Sequence, residues 1–300
     1  MNRNPTIKSS LKAYLYLLPA LSVMTLFTIY PLIKSFIMSF YGKYNYFKDI
    51  VYSYSLDNYK EVLQDPTFWK AMGNTLIFVL GVVPISIVLS ILIALMLNSK
   101  IRFRGIFRTC FFMPYVTSLV AVSIVWRWIY HKDYGLLNYI LSIFGIHHIA
   151  WLDDPNFAML ALIILAIWKN IGYNVIIFLA GLQTIDKQYE ISAQIDGAGY
   201  FKRVWHIIIP LLAPTTLFVT IVSLIGSFKV FDEVYALFSY GGNVAGPSDS
   251  ALTVVFYIFR KFYGEWNFGM AAAASFILFL VIMIFTALQF WYSKRRNRYI

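Results

Sequence analysis

Long apolar runs recur along the chain, and shorter polar segments separate them. Six runs contain about twenty or more mostly apolar residues, the length that an α-helix needs to cross a bilayer. Each run is continuous, whereas the strands of membrane barrels alternate apolar and polar positions in segments of about ten residues. The pattern therefore predicts an all-α membrane protein with six transmembrane helices. The predicted spans are Ala13–Ser35, Thr75–Leu97, Thr109–Tyr130, Phe157–Ala180, Ile207–Phe228 and Met270–Trp291.

The polar segments between the spans are too short and too irregular to hold a separate soluble core. Residues 1–300 are therefore predicted to form a single transmembrane domain. One connecting segment, Leu136–Phe144, has helical spacing and is predicted to lie along the membrane surface. The first run is too long for the core of a signal peptide, and no small-residue cleavage site follows it, so we expect it to remain as a helix.

Composition supports a membrane protein and excludes several other classes. Hydrophobic residues make up 60% of the chain and charged residues 13%, against roughly 45–50% and about 25% in soluble globular domains. Soluble, disordered and collagen-like chains are excluded on this ground. The single cysteine, Cys110, excludes an intrachain disulfide, and its apolar neighbours predict a buried side chain.

The net charge of +11 is distributed unevenly between the polar segments. Basic residues outnumber acids in the N-terminal tail, in the second and fourth connecting segments and in the C-terminal tail, whereas acids outnumber bases elsewhere. Because basic segments remain on the cytoplasmic side, both termini are predicted to be cytoplasmic. The charge is thus a signal of topology and of contact with lipid, and we expect no nucleic-acid partner.

Motifs for covalent chemistry do not occur in the sequence. It lacks the phosphate-binding pattern G-x-x-x-x-G-K-[ST], the zinc motif H-E-x-x-H and the nucleophile elbow G-x-S-x-G. His147 and His148 are adjacent, a poor spacing for two ligands on one helix face, so no metal site and no catalytic residue is expected. One alternative is an intramembrane enzyme using Asp196, but no second acid lies opposite it in a span. Another is an ion-coupled transporter, which would need buried carboxylates in its spans.

The fourth connecting segment has an unusual pattern for a simple connector. Gln183–Pro214 reads QTIDKQYEISAQIDGAGYFKRVWHIIIPLLAP, in which a short helical stretch is followed by a glycine-containing turn and an amphipathic stretch. A new span is predicted to begin at Pro210. The segment is either a knob that fits a groove in another protein or a connector that lies on lipid headgroups. Spacing alone leaves both interpretations open.

This segment resembles the EAA loop of the inner-membrane permease subunits of binding-protein-dependent ABC importers. In a gapless comparison the glutamate of the usual pattern falls on Ile191, and Glu190 stands one residue early. Since one step along a helix turns a side chain by about 100°, Glu190 either takes that role from a shifted angle or takes no part. Residues 183–210 would then be a cytoplasmic loop that couples the permease to an ATPase. The residues assigned to coupling are Glu190, Ser192, Ala193, Asp196, Gly197, Ala198 and Pro210.

The resemblance extends over most of the chain beyond the first span. Phe111–Leu141, Phe228–Gly242 and Leu252–Phe279 are similar to segments of the carbohydrate permeases related to the maltose and glycerol-phosphate systems. This resemblance implies that the chain is a type I ABC importer permease in a bacterial cytoplasmic membrane. The implied partners are a second permease, an extracellular solute-binding protein and two ATPase subunits, which bind ATP and Mg. The implied substrate is a carbohydrate, an oligosaccharide, and no cofactor is expected in this chain.

Polar residues inside spans are candidates for a substrate pathway, because burying them in lipid is costly. A bare lysine such as Lys169 is expected to face either a wet cavity or an acid. Asn170 and Asn174 either line the pathway or bond neighbouring helices together, and Trp126 lies where an aromatic belt is also expected. Sugar sites combine aromatic rings with amides and carboxylates. The predicted pathway residues are Trp126, Asn170, Tyr173, Asn174, Ser227, Lys229, Phe231 and Asp232.

Overall fold

The computed structural model describes residues 7–45, 48, 50–99, 102–239 and 244–296, with the side chains of residues 7–14 and 295–296 left undescribed. These residues belong to two compact units, one of residues 1–65 and 261–277 and one of residues 66–260 and 278–300. The two strands are β1 (Tyr41–Asn45) and β2 (Ile50–Tyr54). The helices are α1 (Ile7–Met24), α2 (Tyr30–Met38), α3 (Asp57–Gln64), α4 (Pro66–Asn98), α5 (Arg104–Val116), α6 (Leu119–Ile129), α7 (Leu136–Ile143), α8 (Pro155–Thr184), α9 (Lys187–Ile195), α10 (Tyr200–Arg203), α11 (Ile209–Leu211), α12 (Ala213–Phe228), α13 (Asp232–Phe238), α14 (Val254–Phe259) and α15 (Phe268–Arg296).

Four helical segments of the described chain are long and apolar enough to cross a membrane by themselves. They are Leu15–Met38, Pro66–Asn98, Pro155–Thr184 and Phe268–Lys294. The first runs from α1 through a π-helical turn into α2. Two bent helix pairs complete a set of six if each pair counts as one span. Every predicted span therefore has a helical counterpart, although two of them are broken.

The third predicted span, Thr109–Tyr130, is wrong as a single helix. Its residues form α5 and α6, which meet at an angle of 98°. The backbone of Thr117 and Ser118 is extended at the break. The Thr117 hydroxyl donates to the Met113 carbonyl at 2.8 Å, so this side chain competes for a backbone acceptor of the helix. Apolar content continues across the break, and hydropathy alone does not reveal it.

The fifth predicted span, Ile207–Phe228, is also bent. α10, a π-helical turn and α11 form one arm, and α12 forms the other, at an angle of 65°. Pro210 does not begin a helix, as expected for the start of a span, but lies within α11 of the first arm; the second arm begins at Ala213. Pro214 in the first turn of α12 favours a helix start there, because its missing N–H is not needed at that position.

The first unit contains a β-hairpin, which is an exception to the all-helical prediction. β1 and β2 pair antiparallel. The hairpin is tied to α3 by Asn58, whose side chain donates to the Ser39 and Tyr41 carbonyls at 3.0 and 2.9 Å. A Cβ on Gly269 at the start of α15 would lie 2.6 Å from the Asn58 amide nitrogen, so this approach requires glycine.

The second unit is built on the packing of α4, α5 and α12 against α8. α5 approaches α8 so closely that a Cβ on Gly172 would lie 1.8 Å from the Phe111 carbonyl oxygen. α13 packs against α6 and α8. The predicted helix at Leu136–Phe144 is present as α7. Cys110 on α5 is exposed, contrary to the expected burial.

Candidate functional site

A cavity of about 260 Å³ opens within the second unit between α8, α12 and the turn that leads into α13. Seven of the eight predicted pathway residues line it, although they come from two distant parts of the sequence. The predicted residues on its wall are Asn170, Tyr173, Asn174, Ser227, Lys229, Phe231 and Asp232. Its remaining lining includes Phe78, Tyr115, Ala166, Val222, Ser223, Gly226, Val230 and Glu233.

α8 contributes Asn170, Tyr173 and Asn174 to the cavity wall. Positions three and four apart share one face of a helix, so the three side chains point to the same side. Asn174 is only 2% exposed. Its carbonyl oxygen accepts from the Ser223 hydroxyl at 3.4 Å, whereas its amide nitrogen has no hydrogen-bond partner among the described residues. A buried amide of this kind favours a polar ligand, because an unpaired donor is costly.

Tyr115 of α5 also lines the cavity, and sequence reasoning missed it. Its ring stacks on that of Tyr173, with centroids 4.7 Å apart and an angle of 19° between the planes. Tyr115 lies in the last turn of α5, two residues before the break at Thr117, and the packing of α5 against α8 brings its ring to Tyr173. A tyrosine next to Pro114 within an apolar run was the only sequence signal for it.

The turn between α12 and α13 supplies the second wall. Ser227 is buried, while Lys229 and Asp232 are exposed at the cavity. The ring of Phe231 is packed against Tyr235 and Phe259, with centroids at 5.5 and 4.9 Å. These neighbours fix the ring in place, so it presents a fixed apolar surface beside polar groups.

An ion pair joins α8 to α13 beside the cavity. Lys169 Nζ lies 2.9 Å from Glu233 Oε1, and the two side chains are 17% and 15% exposed. The sequence predicted that Lys169 faces either a wet cavity or an acid, and in the structure it contacts an acid, Glu233. Glu233 itself was not among the predicted pathway residues, although it follows Asp232 directly and lines the cavity.

Trp126 lies apart from the lining of this cavity. Its ring packs against Tyr130 and Trp168, with centroids at 5.1 and 5.4 Å. It borders a buried cluster that includes Tyr130 and Trp151. In this position Trp126 supports the packing of α6 against α8.

Six of the seven predicted coupling residues lie on α9 and on the turn that follows it, whereas Pro210 lies in α11. Asp186 caps the N-terminus of α9, since its carboxylate accepts from the Gln188 N–H at 2.9 Å. It ends in a Schellman motif, in which the N–H groups of Gly197 and Ala198 bond to the carbonyls of Gln194 and Ala193 at 3.0 and 2.8 Å. Gly197 has φ +74°, the left-handed conformation that this motif requires.

Large apolar side chains are exposed on α9, α10 and the π-helical turn after α10. Ile195 is 81% exposed, Phe201 77% and Trp205 66%. Ser192, Asp196, Gly197 and Pro210 are exposed as well, whereas Ala193 is buried and Glu190 and Ala198 are partly buried. A group of large apolar side chains exposed together in this way is typical of a contact with a protein or a membrane.

Comparison with known proteins identifies related chains. A family model, described as the inner membrane component of binding-protein-dependent transport systems, matches residues 86–298. The lactose transport system permease protein of Rhizobium radiobacter is 37% identical over 97% of this chain and 99% of its own length. The arabinooligosaccharides transport system permease protein of Bacillus subtilis is 34% identical over 90% of this chain and 85% of its own length.

A solved structure shares the fold. A chain of a bacterial ABC transporter involved in the import of the acidic polysaccharide alginate has a TM-score of 0.82 to this protein. The match covers 96% of this chain and 97% of that chain at 24% identity, which shows the fold alone. The predicted fold of an importer permease is confirmed by this likeness and by the family match.

Proposed function

The chain belongs to the family of inner membrane components of binding-protein-dependent transport systems, and on this basis we propose that it carries a carbohydrate, an oligosaccharide, across a bacterial cytoplasmic membrane. The names of its relatives support a sugar substrate, since they refer to lactose and to arabinooligosaccharides. The whole chain acts as one permease domain, because the relatives align over nearly their full length. It performs no covalent chemistry.

The observation that carries this proposal is the chemistry of the cavity in the second unit. Amides, carboxylates and hydroxyls line it together with the rings of Tyr115, Tyr173 and Phe231. This combination suits a sugar, because polar side chains bond the hydroxyl groups of a sugar ring and aromatic side chains cover its apolar faces. A volume of about 260 Å³ is small for an oligosaccharide, and a second permease subunit would supply the other half of the pathway.

Transport is driven by partners that bind to the cytoplasmic and extracellular faces. Two ATPase subunits bind ATP and Mg, and their closure is transmitted through the segment around Gly197 to the spans. An extracellular solute-binding protein delivers the sugar. The exposed apolar side chains on α9 and α10 support a protein contact at this segment, and the left-handed Gly197 gives its turn a fixed shape.

The experiment that tests the proposal measures uptake by the complete complex in proteoliposomes. The labelled sugars are lactose, maltotriose and arabinotriose, each with and without ATP. Tyr173→Ala, Asn174→Ala and Asp232→Ala are each expected to lower uptake by about tenfold or more, the effect of losing one or two hydrogen bonds. Complex assembly should stay intact.

Matched controls separate the cavity from general damage. Asn156→Ala and Tyr139→Ala change exposed residues of α8 and α7 that do not line the cavity, and they should leave uptake unchanged. Uptake that persists without ATP would support an ion-coupled transporter instead. If the complex transports none of the three sugars, the carbohydrate assignment is wrong.

A further inference from the structure

The structure places a charged residue in the cavity wall for which neither the family match nor the relatives' names give a role. Glu233 lines the cavity, and Lys169 reaches it from α8, with Nζ 2.9 Å from Oε1. Both side chains are more than four-fifths buried. An unpaired charge at such a site is expensive, so each member of the pair compensates the charge of the other.

Glu233 retains hydrogen-bonding capacity after Lys169 has bound it. A carboxylate offers about four acceptor sites on its two oxygens, and the lysine ammonium occupies one of them. The hydroxyls of a sugar are donors of the kind that a carboxylate accepts. Lys169 orients this acceptor, because the ammonium holds Oε1 in a fixed position on the wall.

The other groups on the wall point to the same type of ligand. Asn174 lines the cavity, and no described residue accepts a hydrogen bond from its buried amide nitrogen. It is a donor, so the wall offers both a donor and an acceptor to a ligand that carries hydroxyl groups. The rings of Tyr115 and Tyr173 stand beside them.

The formal charges around the cavity cancel. Lys229 and Asp232 are exposed at the cavity, and Glu233 is balanced by Lys169. Three of these charges line the cavity, and Lys169 contacts Glu233 from outside the lining, so the four charges together exert no net attraction on an anionic ligand. A neutral polyhydroxylated ligand makes use of the acceptors and donors without disturbing this balance.

We propose that Glu233 is a sugar-contact residue positioned by Lys169, and that this ion pair makes the cavity select neutral sugars over anionic ones. The inference rests on the proposed function, because it assigns a substrate class to the same cavity. Lys169 is a positioning residue, since it contacts Glu233 from α8. The sequence signal for the pair is a lysine inside an apolar run.

The test compares binding of a neutral sugar and of its uronic acid to the complete complex without its binding protein. The neutral sugar is the one with the highest uptake among lactose, maltotriose and arabinotriose, and the acid carries a carboxylate in place of one primary alcohol group of that sugar. Equilibrium dialysis of the labelled sugars gives the ratio of the two affinities. A structural defect lowers both affinities together, whereas a change of wall charge alters their ratio.

Glu233→Gln leaves the lysine without its counter-charge and is expected to shift the ratio by about tenfold toward the uronic acid. Lys169→Gln leaves the carboxylate uncompensated and should shift the ratio toward the neutral sugar. In the double variant Lys169→Gln/Glu233→Gln the charges balance again, so the preference for the neutral sugar should return. The double variant should nevertheless bind the neutral sugar more weakly than the unchanged protein does, because the contact with the Glu233 carboxylate is lost.

Glu265→Gln is the matched control, since Glu265 also pairs with a lysine, Lys261, at 2.8 Å and does not line the cavity. It should leave the ratio unchanged. A ratio that stays constant in Glu233→Gln, or that stays shifted in the double variant, overturns the proposal. This failure is distinct from failure of the proposed function, in which the unchanged complex transports none of the neutral sugars.

Discussion

At the scale of single residues, two glycines present the same local structure on different segments of the chain. Gly197 ends α9 and Gly145 ends α7; each has φ +74°, and each donates to the carbonyl of the residue three before it at 3.0 Å. A Cβ at either position would meet no atom within 4 Å. A substitution therefore acts through backbone strain or through a binding partner, and comparing the two sites separates these causes.

We predict that Gly197→Asp abolishes transport and reduces co-purification of the ATPase subunit, because it adds a charge beside the exposed Asp196. Gly197→Asn has nearly the same shape and also tolerates the left-handed conformation, so the difference between the two variants reports the charge. Gly197→Ala should be milder than Gly197→Asp, with strain of about 1 kcal/mol. ATPase co-purification and sugar uptake are measured for each variant.

Gly145→Asp is the matched control for this prediction. It introduces the same side chain at the same backbone conformation in a segment that is predicted to face outward. We expect normal ATPase binding and near-normal uptake. If Gly197→Asp also binds the ATPase and transports normally, the segment around Gly197 does not couple the two subunits.

A second residue-scale prediction concerns the loop that precedes α14. Asp249 and Arg260 form two hydrogen bonds of 2.7 Å, and side-chain hydrogen bonding from the Arg260 guanidinium lowers the pKa of the Asp249 carboxyl. Because this pKa is lower in the folded than in the unfolded protein, the pair stabilises the fold above about pH 4, the ordinary value for aspartate. This stabilisation is lost as the pH falls through the lowered pKa.

The thermal unfolding midpoint of the purified protein checks this sign. At pH 7 the unchanged protein should have a higher unfolding midpoint than Asp249→Asn. The difference between the two midpoints should shrink as the pH falls below about 4. The asparagine keeps the shape and the left-handed backbone that residue 249 adopts. A difference that is independent of pH would contradict the role assigned to the ionised carboxylate.

Where the sequence signal was local, the residues predicted from it lie together in the structure. Asn170, Tyr173 and Asn174 stand out because they interrupt an apolar run, and their helical spacing brings them to one cavity. Tyr115 and Glu233 could not be assigned in this way. Tyr115 reaches the cavity through the packing of α5 against α8, and Glu233 forms its ion pair with a lysine 64 positions before it.

At the scale of helices, the number of apolar runs was predictable and their internal geometry was not. Hydropathy sums the free energy of burial in lipid and contains no term for backbone direction. The extended backbone at Thr117 and Ser118 divides one run into α5 and α6, and the bend before α12 divides another. The β-hairpin escaped prediction because its aromatic residues lie in a segment without clear alternation.

The packing of α5 against α8 gives a prediction at the same scale. Gly172→Ala places a Cβ 1.8 Å from the Phe111 carbonyl oxygen, and the helices must separate to accept it. Overpacking of this kind costs about 1–3 kcal/mol. We expect a lower thermal unfolding midpoint and reduced sugar uptake, since α5 also carries Tyr115.

Gly73→Ala in α4 provides the comparison, because no atom lies within 4 Å of the added Cβ. Alanine is a better helix former than glycine, so this variant should be at least as stable as the unchanged protein. Equal midpoints for the two variants would show that α5 and α8 are not held at the distance seen in the structure.

At the scale of the whole molecule, the uneven distribution of basic residues predicts the orientation of the chain. The basic tails and the second and fourth connecting segments share one side of the membrane if each bent pair forms one span. Helix α9 and the turn at Gly197, which precede the second bent pair, then lie on the same side as both termini, where ATPase subunits can reach them. Residues 1–6 and 297–300 lie outside the described part of the chain.

Labelling of single cysteines in intact cells tests this orientation. Cys110 is exposed and is first replaced by serine, so that each introduced cysteine is the sole thiol of the chain. Asn2→Cys and Tyr299→Cys are expected to resist a membrane-impermeant maleimide until the cells are permeabilised, because basic tails remain cytoplasmic. Tyr139→Cys on α7, 66% exposed, should react without permeabilisation and shows that the reagent reaches the outer face. Reaction of either terminal cysteine in intact cells would contradict the predicted topology, and reaction of both would also place the Gly197 segment out of reach of a cytoplasmic ATPase.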